Sequence, residues 1–257
     1  MKIFKNNLKL IANQYKADYQ NAKPFPYVSI DGLFDDDMLT KVIDSFPPIG
    51  KKWHTYDNTF EKKLLNADLK TMNETLQNFF DALNSKTFLK FLEQLSGIDN
   101  LIADYTLMGG GLHQIKKGGK LDIHSDFNYH YKTKNKRALN CILYLNKNWP
   151  DEYGSHLELW NSDMSKCVKK ISPEFNRIVI FNTSDVSYHG HPEPLMCPEN
   201  ITRKSIAAYY YIKPDSYDEF ENSRATKYMK RPQDKHDPEK EKERRLRVIP
   251  RDKREKK

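Results

Sequence analysis

Gly118-Gly-Lys-Leu-Asp-Ile-His124-Ser-Asp126-Phe-Asn128 sets an imidazole and a carboxylate two residues apart in a segment that reads as extended. On a strand, residues i and i+2 project from the same face, so His124 and Asp126 are placed to converge on one metal ion. A second histidine is needed to complete a 2-His-1-carboxylate set, which leaves positions open on a non-haem Fe(II). The downstream candidate is His189, in Phe181-Asn-Thr-Ser-Asp-Val-Ser-Tyr188-His189-Gly-His191-Pro192, with His191 as its competitor. Fourteen residues past His189 comes Arg203-Lys-Ser205, followed by a strand-like run to Ile212. A buried arginine there is suited to grip a dicarboxylate through its planar fork.

Outward from that stretch the chain divides by texture. Leu8 to Ala17 carries apolar residues at helical spacing and predicts a short helix, ended by Lys23-Pro-Phe-Pro. Tyr27–Asp31 alternates like a strand. Asp35-Asp-Asp37 precedes Met38–Phe46, an acidic helix start before an amphipathic stretch that Pro47-Pro48 stops. Residues 60–96 hold the longest helical pattern, with one segment over about Thr71–Leu83 and a second that starts at an Asn84-Ser85 cap and stops at Gly97. After Asn100 short strands separated by turns follow one another: Gly109–Ile115, the His124 segment, the dense apolar run Ala138–Asn146, Leu157–Trp160, Arg177–Phe181 and Ser205–Ile212. Many short strands in succession predict an α+β fold: a double-stranded β-helix (jelly roll) core with N-terminal helices packed against it. The expected organisation is a helical and β support region at 1–99, the core at 100–213, an extension at 214–231 and a basic tail at 232–257 that is disordered or marginally helical.

Charge separates the tail from the body. The 257-residue chain carries a net +8, and residues 227–257 alone hold 14 Lys and Arg against 7 Asp and Glu. The body is therefore almost neutral, which weakens any case for nucleic-acid binding by the core and leaves the tail as the place for it. Three widely spaced cysteines, Cys141, Cys167 and Cys197, form no CxxC pair and suggest no disulfide framework. No secretory signal and no membrane-spanning run is legible, so a cytoplasmic location is expected, with a nuclear one open.

A lone His-x-Asp is weak, because a surface strand carries such a pair by chance. Its weight comes from order: strand, His-x-Asp, central strands, a distal histidine after a buried strand, then an arginine opening the last strand. In that order residues 100–212 resemble the 2-oxoglutarate/Fe(II)-dependent oxygenases, in particular the prolyl 4-hydroxylase-like branch. The segment Arg137-Ala-Leu-Asn-Cys-Ile-Leu-Tyr144-Leu-Asn-Lys-Asn-Trp149 is similar to the central strand of the hypoxia-sensing prolyl hydroxylases. So are Phe181, eight residues ahead of His189, and Thr202-Arg203 at the last strand. Gly154-Ser-His-Leu157-Glu-Leu-Trp160 is similar to the branch's Gly-Gly-x-Leu-x-x-aromatic strand, with Ser155 in place of a glycine.

The resemblance implies His124, Asp126 and His189 as iron ligands and Arg203 as the anchor of the 2-oxoglutarate C5 carboxylate. It implies Tyr144 as a hydroxyl assisting Arg203, and Ser205 as a weaker contact through Arg-x-Ser. Gln114 falls where the branch has a tyrosine in the co-substrate pocket. Fe(II), 2-oxoglutarate and O2 are then the expected cofactor and co-substrates, with ascorbate as an accessory reductant. The implied reaction is hydroxylation of a substrate C–H bond, with a peptidyl proline preferred and succinate and CO2 released. The same chemistry on a free amino acid or sugar, and a non-catalytic jelly-roll binding module, are the alternatives. An intact ligand set with Arg203 argues against the module. His113 and His130 read as polar rim or core residues, Trp149 and Trp160 as structural, and Tyr209-Tyr-Tyr211 as packing on alternate strand faces.

Overall fold

Capping residues decide where the helices begin, and the computed structural model, which describes residues 2–216, 220–221 and 223–249, shows each cap engaged. Helix α1 (Leu8–Asn21) starts where the Asn7 side chain accepts from the Lys9 N–H. Strand β1 (Tyr27–Asp31) leads to α2 (Asp36–Asp44), whose first turn is held by the Asp35 carboxylate accepting from Met38 N–H. A hairpin, β2 (His54–Asp57) and β3 (Glu61–Asn66), precedes α3 (Glu74–Leu83) and α4 (Lys86–Ser96). Ser85 caps α4, and Gly97 ends it in the left-handed conformation at φ 78°, which glycine adopts without a Cβ penalty.

The remaining strands are β4 (Ile102–Ala103), β5 (Gly111–Ile115), β6 (Lys120–Ser125), β7 (Lys136–Tyr144), β8 (Leu157–Trp160), β9 (Cys167–Ile171), β10 (Arg177–Asn182), β11 (His189–His191), β12 (Arg203–Ile212) and β13 (Lys227–Tyr228); α5 (Pro238–Arg247) closes the described chain. They order as β1-β10-β7-β12-β5-β3-β6-β11-β8-β9, a 13-stranded sheet in which β13 pairs β6, β2 pairs β3 and β4 pairs β12. Curled on itself, this is the expected jelly roll.

Period-two alternation explains why the central strands read as unbroken apolar runs. One face of β7, β10 and β12 supplies Leu139, Cys141, Leu143, Ile178, Ile180, Ile206, Ala208 and Tyr210 to the core shared with the helices. The other face turns inward, where Tyr144, Val179 and Phe181 meet Leu157 and Leu159 of β8. Strands buried on both faces lose the polar alternation of a half-exposed sheet. The outer core is tied down by one polar contact, Tyr210 Oη donating to Leu83 O at 2.8 Å.

Two expectations require correction. Glu61–Asn66 is the strand β3, not helix, so the N-terminal region contributes directly to the barrel wall. Residues 238–247 form a docked helix, where the tail from 232 was expected to be disordered or at most marginally helical; residues 250–257 lie outside the described chain. High charge density argues against a core, but α5 buries little apolar surface of its own and uses its cations instead. Lys240, Arg244 and Arg247 lie over the Phe60 ring at 5.5, 5.7 and 5.1 Å, and Lys240 Nζ pairs with Asp122 at 2.7 Å. Cation–π contacts of this kind each contribute about 0.5–1 kcal/mol when exposed and more when dry. Composition cannot reveal them. Among the described residues no helix is long and apolar enough to cross a membrane.

Candidate metal centre and co-substrate pocket

Where β6 ends, Asp126 follows His124 past the last ladder pair, and β11 brings His189 directly opposite His124. The strands can approach so closely because Gly190 follows His189. A Cβ there would sit 2.8 Å from the Leu121 carbonyl oxygen and 2.9 Å from that of Asp122. The two imidazole centroids are 4.5 Å apart. His124 Nε2 lies 3.5 Å from Asp126 Oδ1 and His189 Nε2 lies 3.5 Å from Oδ2. One donor atom from each of the three buried residues falls within 4.8 Å of the others.

The surroundings settle which imidazole nitrogen faces the centre. His124 Nδ1 is 2.8 Å from Asp122 O, and His189 Nδ1 is 2.9 Å from Ser187 O. A carbonyl can only accept, so each Nδ1 carries the proton and each Nε2 presents a lone pair. Burial, then the neighbouring His124, pushes the His189 pKa down to about 4, which keeps it neutral and ligand-ready near pH 7. Burial on its own would raise the Asp126 carboxyl. Arg137 and, behind it, the two imidazoles hold it well below the usual carboxylate range. Two imidazoles and one carboxylate converging in this way form the donor set suited to Fe(II).

Sequence reading missed the residues that orient Asp126. Asn140 Nδ2 donates to Oδ2 at 3.0 Å, and Arg137 Nη2 lies 3.1 Å from the same oxygen. Arg137 is sandwiched between the Tyr209 ring at 3.4 Å and the Phe127 ring at 4.6 Å. Its three guanidinium nitrogens are buried, and none is aligned with a hydrogen-bond acceptor. A signal was present. In Ala138-Leu-Asn140-Cys-Ile-Leu-Tyr144 the polar residues are four apart, and on a strand that places them on one face.

Arg203 opens β12 on that same inner face, because the ladder pairs Ser205 with Tyr144 and Tyr209 with Asn140. Its guanidinium carbon lies 4.8 Å from the Tyr144 ring centroid, and Nε donates to Ser155 O at 3.1 Å. Burial depresses its pKa, and among the described residues no carboxylate pairs with it. Tyr144 Oη is buried without a hydrogen-bond partner. A buried cation beside an unsatisfied hydroxyl is costly unless an anion completes it, and a carboxylate fits both. Ser205 shares this wall.

Gln114 does not. The ladder sets Arg203 opposite Ile115 and Lys204 opposite Gln114, so Gln114 points away from Arg203. Its carbonyl accepts from Thr202 Oγ1 at 2.8 Å. The inward residue of β5 is His113, opposite Ser205, and its pKa is driven to about 3 by burial, then by Lys63 and Arg203. Lys63, on β3, is paired with Glu61 at 3.0 Å. His191 also lies outside the cluster, its Nδ1 3.1 Å from Ser155 Oγ. His130 is a core residue holding a turn, its Nδ1 accepting from the Lys132 and Thr133 N–H groups.

His113 gives a testable pH dependence. Its folded pKa lies below the unfolded value of about 6.5, so the unfolded chain takes up the proton first. Stability contributed by the neutral ring is complete above about pH 6.5 and is lost as pH falls toward the folded pKa. Thermal melts of the metal-free protein are expected to show Tm falling from pH 7 to pH 5, with a shallower slope in His113→Gln. An unchanged slope would remove His113 from this role.

With this geometry in hand, comparison with known proteins is specific. Residues 110–211, from β5 to β12, match the family model of the 2OG-Fe(II) oxygenase superfamily. Over that stretch the chain is similar to the superfamily. The mouse (Mus musculus) protein prolyl 3-hydroxylase OGFOD1 is 33% identical over 89 residues, which covers 32% of this chain and 16% of that protein. A prolyl-4-hydroxylase from Pseudomonas putida superposes with a TM-score of 0.55 at 13% identity, covering 80% of this chain and all of the other. A prolyl hydroxylase from Trichoplax adhaerens, solved with a hypoxia inducible factor peptide fragment, gives 0.54 at 15% identity over 79% of this chain and 90% of that one. At these identities the structural likeness is one of fold. The cofactor and co-substrate of that superfamily are Fe(II) and 2-oxoglutarate, used with O2.

Proposed function

We propose that this protein is an Fe(II)- and 2-oxoglutarate-dependent dioxygenase that hydroxylates a peptidyl proline, with His124, Asp126 and His189 as metal ligands. The observation that carries the reading is the pairing of a preset N,N,O cluster with a buried, unneutralised Arg203 on the same inner wall. When bound, Fe(II) with 2-oxoglutarate and O2 supplies oxidation of a substrate C–H bond, with succinate and CO2 as co-products. The chain's residues do the rest. Arg203 and Tyr144 hold the far carboxylate of the co-substrate, with Ser205 beside them. Asp122 and Ser187 carbonyls fix the imidazoles, and Asn140 with Arg137 fix the carboxylate.

A peptide substrate is the reading favoured here over a free amino acid or sugar. It is supported by the prolyl 3-hydroxylase activity for which the mouse relative is named and by the peptide held by the Trichoplax protein. A reducing compartment such as the cytoplasm suits Fe(II) and three unpaired cysteines. We assign residues 100–213 to the catalytic core and 1–99 to its support.

The test is succinate formation by anaerobically Fe(II)-loaded protein with ascorbate, with and without proline-containing peptides. Slow peptide-independent turnover, lost in His124→Ala and stimulated by a proline peptide that gains 16 Da (about one oxygen atom) by mass spectrometry, is the expected result. Fragmentation of that peptide assigns the hydroxylated carbon. No succinate under any of these conditions overturns the enzyme reading.

A further inference from the structure

The superfamily match ends at residue 211, yet residues 223–247 fold back over the strands that carry the metal ligands. Four contacts bear on the segments that carry the three ligands. Beside His124, β13 pairs with the end of β6, setting Tyr228 opposite His124 with ring centroids 5.6 Å apart. Behind it, Lys240 pairs with Asp122, whose carbonyl fixes His124. At Asp126, Arg224 Nη1 donates to the backbone carbonyl at 2.6 Å. Toward His189, the same guanidinium reaches Asp185 through Nε at 2.8 Å and Nη2 at 2.7 Å. Asp185 belongs to the turn whose Ser187 carbonyl orients His189.

We propose that Arg224 is a positioning residue for the metal centre, clamping the Asp126 segment to the turn before His189. The proposal rests on the reading that these residues hold Fe(II). The two segments meet at the centre but join no common ladder at Asp126, which lies past the end of β6. The β6–β11 ladder fixes His189 against His124, but no ladder pair reaches Asp126 or residues 184–188 of the turn. A guanidinium supplies a crosslink there: a rigid group that donates through Nη1 to a carbonyl and through Nε to a carboxylate oxygen, both charge-assisted, with Nη2 close to that same oxygen. Arg224 also anchors its own strap, its N–H donating to Asn128 Oδ1 at 2.8 Å. Lysine retains the charge and loses the fork.

Co(II), a spectroscopic substitute for Fe(II), separates positioning from mere tethering. Wild type, Arg224→Gln, Arg224→Lys, Asp185→Asn and His124→Ala are compared by chelator competition for Co(II), by the visible absorption of bound Co(II), and by melting of the metal-free protein. Outer partners of metal ligands are worth about 10–100-fold in affinity. Both Arg224 variants are expected to bind Co(II) about tenfold more weakly, with altered absorption, and with metal-free Tm within about 2 °C of wild type. Asp185→Asn shifts in the same direction by less. Wild-type affinity and spectrum in the Arg224 variants overturn the proposal, as does an affinity loss matched by a collapse of the metal-free Tm. His124→Ala keeps the two readings apart. If it too binds Co(II) as wild type does, the metal assignment itself has failed.

Discussion

Asp126→Ala is expected to reduce metal affinity by more than about 100-fold, beyond the range for losing an outer partner, and to destabilise the metal-free protein as well. The first effect follows from chemistry. Asp126 is the anionic member of the cluster, and without it two neutral imidazoles face a dication alone. The second follows from Arg137, which is buried, stacked on Tyr209 and Phe127, and neutralised by Asp126 at 3.1 Å. Removing one partner of a buried ion pair strands the other, at a cost of about 3–5 kcal/mol. Urea denaturation of the metal-free variant measures that cost. The double variant Asp126→Ala/Arg137→Met should recover much of the stability and none of the metal affinity. If the single variant binds Co(II) normally, the cluster is not the metal site; if its stability is unchanged, Arg137 does not depend on the carboxylate.

The same pair shows where sequence reading reaches its limit. His124, Asp126 and His189 were legible because their roles need specific residue types in a specific order along short strands. The fold was legible in Leu139 to Leu145 and Ile178 to Phe181, where both strand faces are buried, and in the caps Asp35, Ser85 and Gly97, where local geometry selects the residue. Strand β3 was obscured because Glu61 and Lys63 put charge where an inward strand is expected to be apolar, and only the structure supplies their mutual pairing. Gln114 shows the sensitivity of a strand to register. Counting one residue off exchanges the cavity face for the helix face, and His113 was the inward neighbour. Arg224 and α5 were hidden for a different reason. Their partners Asp126, Asp185, Phe60 and Asp122 lie between about 40 and 180 residues away, and no periodicity encodes such contacts.

Arg203→Leu tests the remaining half of the site through two effects of opposite sign. Arg203 is 3% exposed, its pKa is depressed by burial, and its Nε is spent on the Ser155 carbonyl. Such a cation costs folding free energy, and apolar replacement of buried charges is often stabilising by about 1–4 kcal/mol. The metal-free variant should therefore melt at or above the wild-type temperature. Its 2-oxoglutarate requirement should rise by about 100-fold or more, since each hydrogen bond to a charged group is worth about 1.5–3 kcal/mol and a fork makes two. Arg203→Lys keeps the charge without the planar fork and should fall between, with binding partly retained. Succinate formation against 2-oxoglutarate concentration, beside thermal melts, reads both effects. An unchanged requirement would sink the assignment of Arg203 as the carboxylate anchor. A fall in stability would mean that the guanidinium holds the barrel wall together. A gain in stability with a loss of co-substrate is what distinguishes a charge kept for its ligand from one kept for the fold.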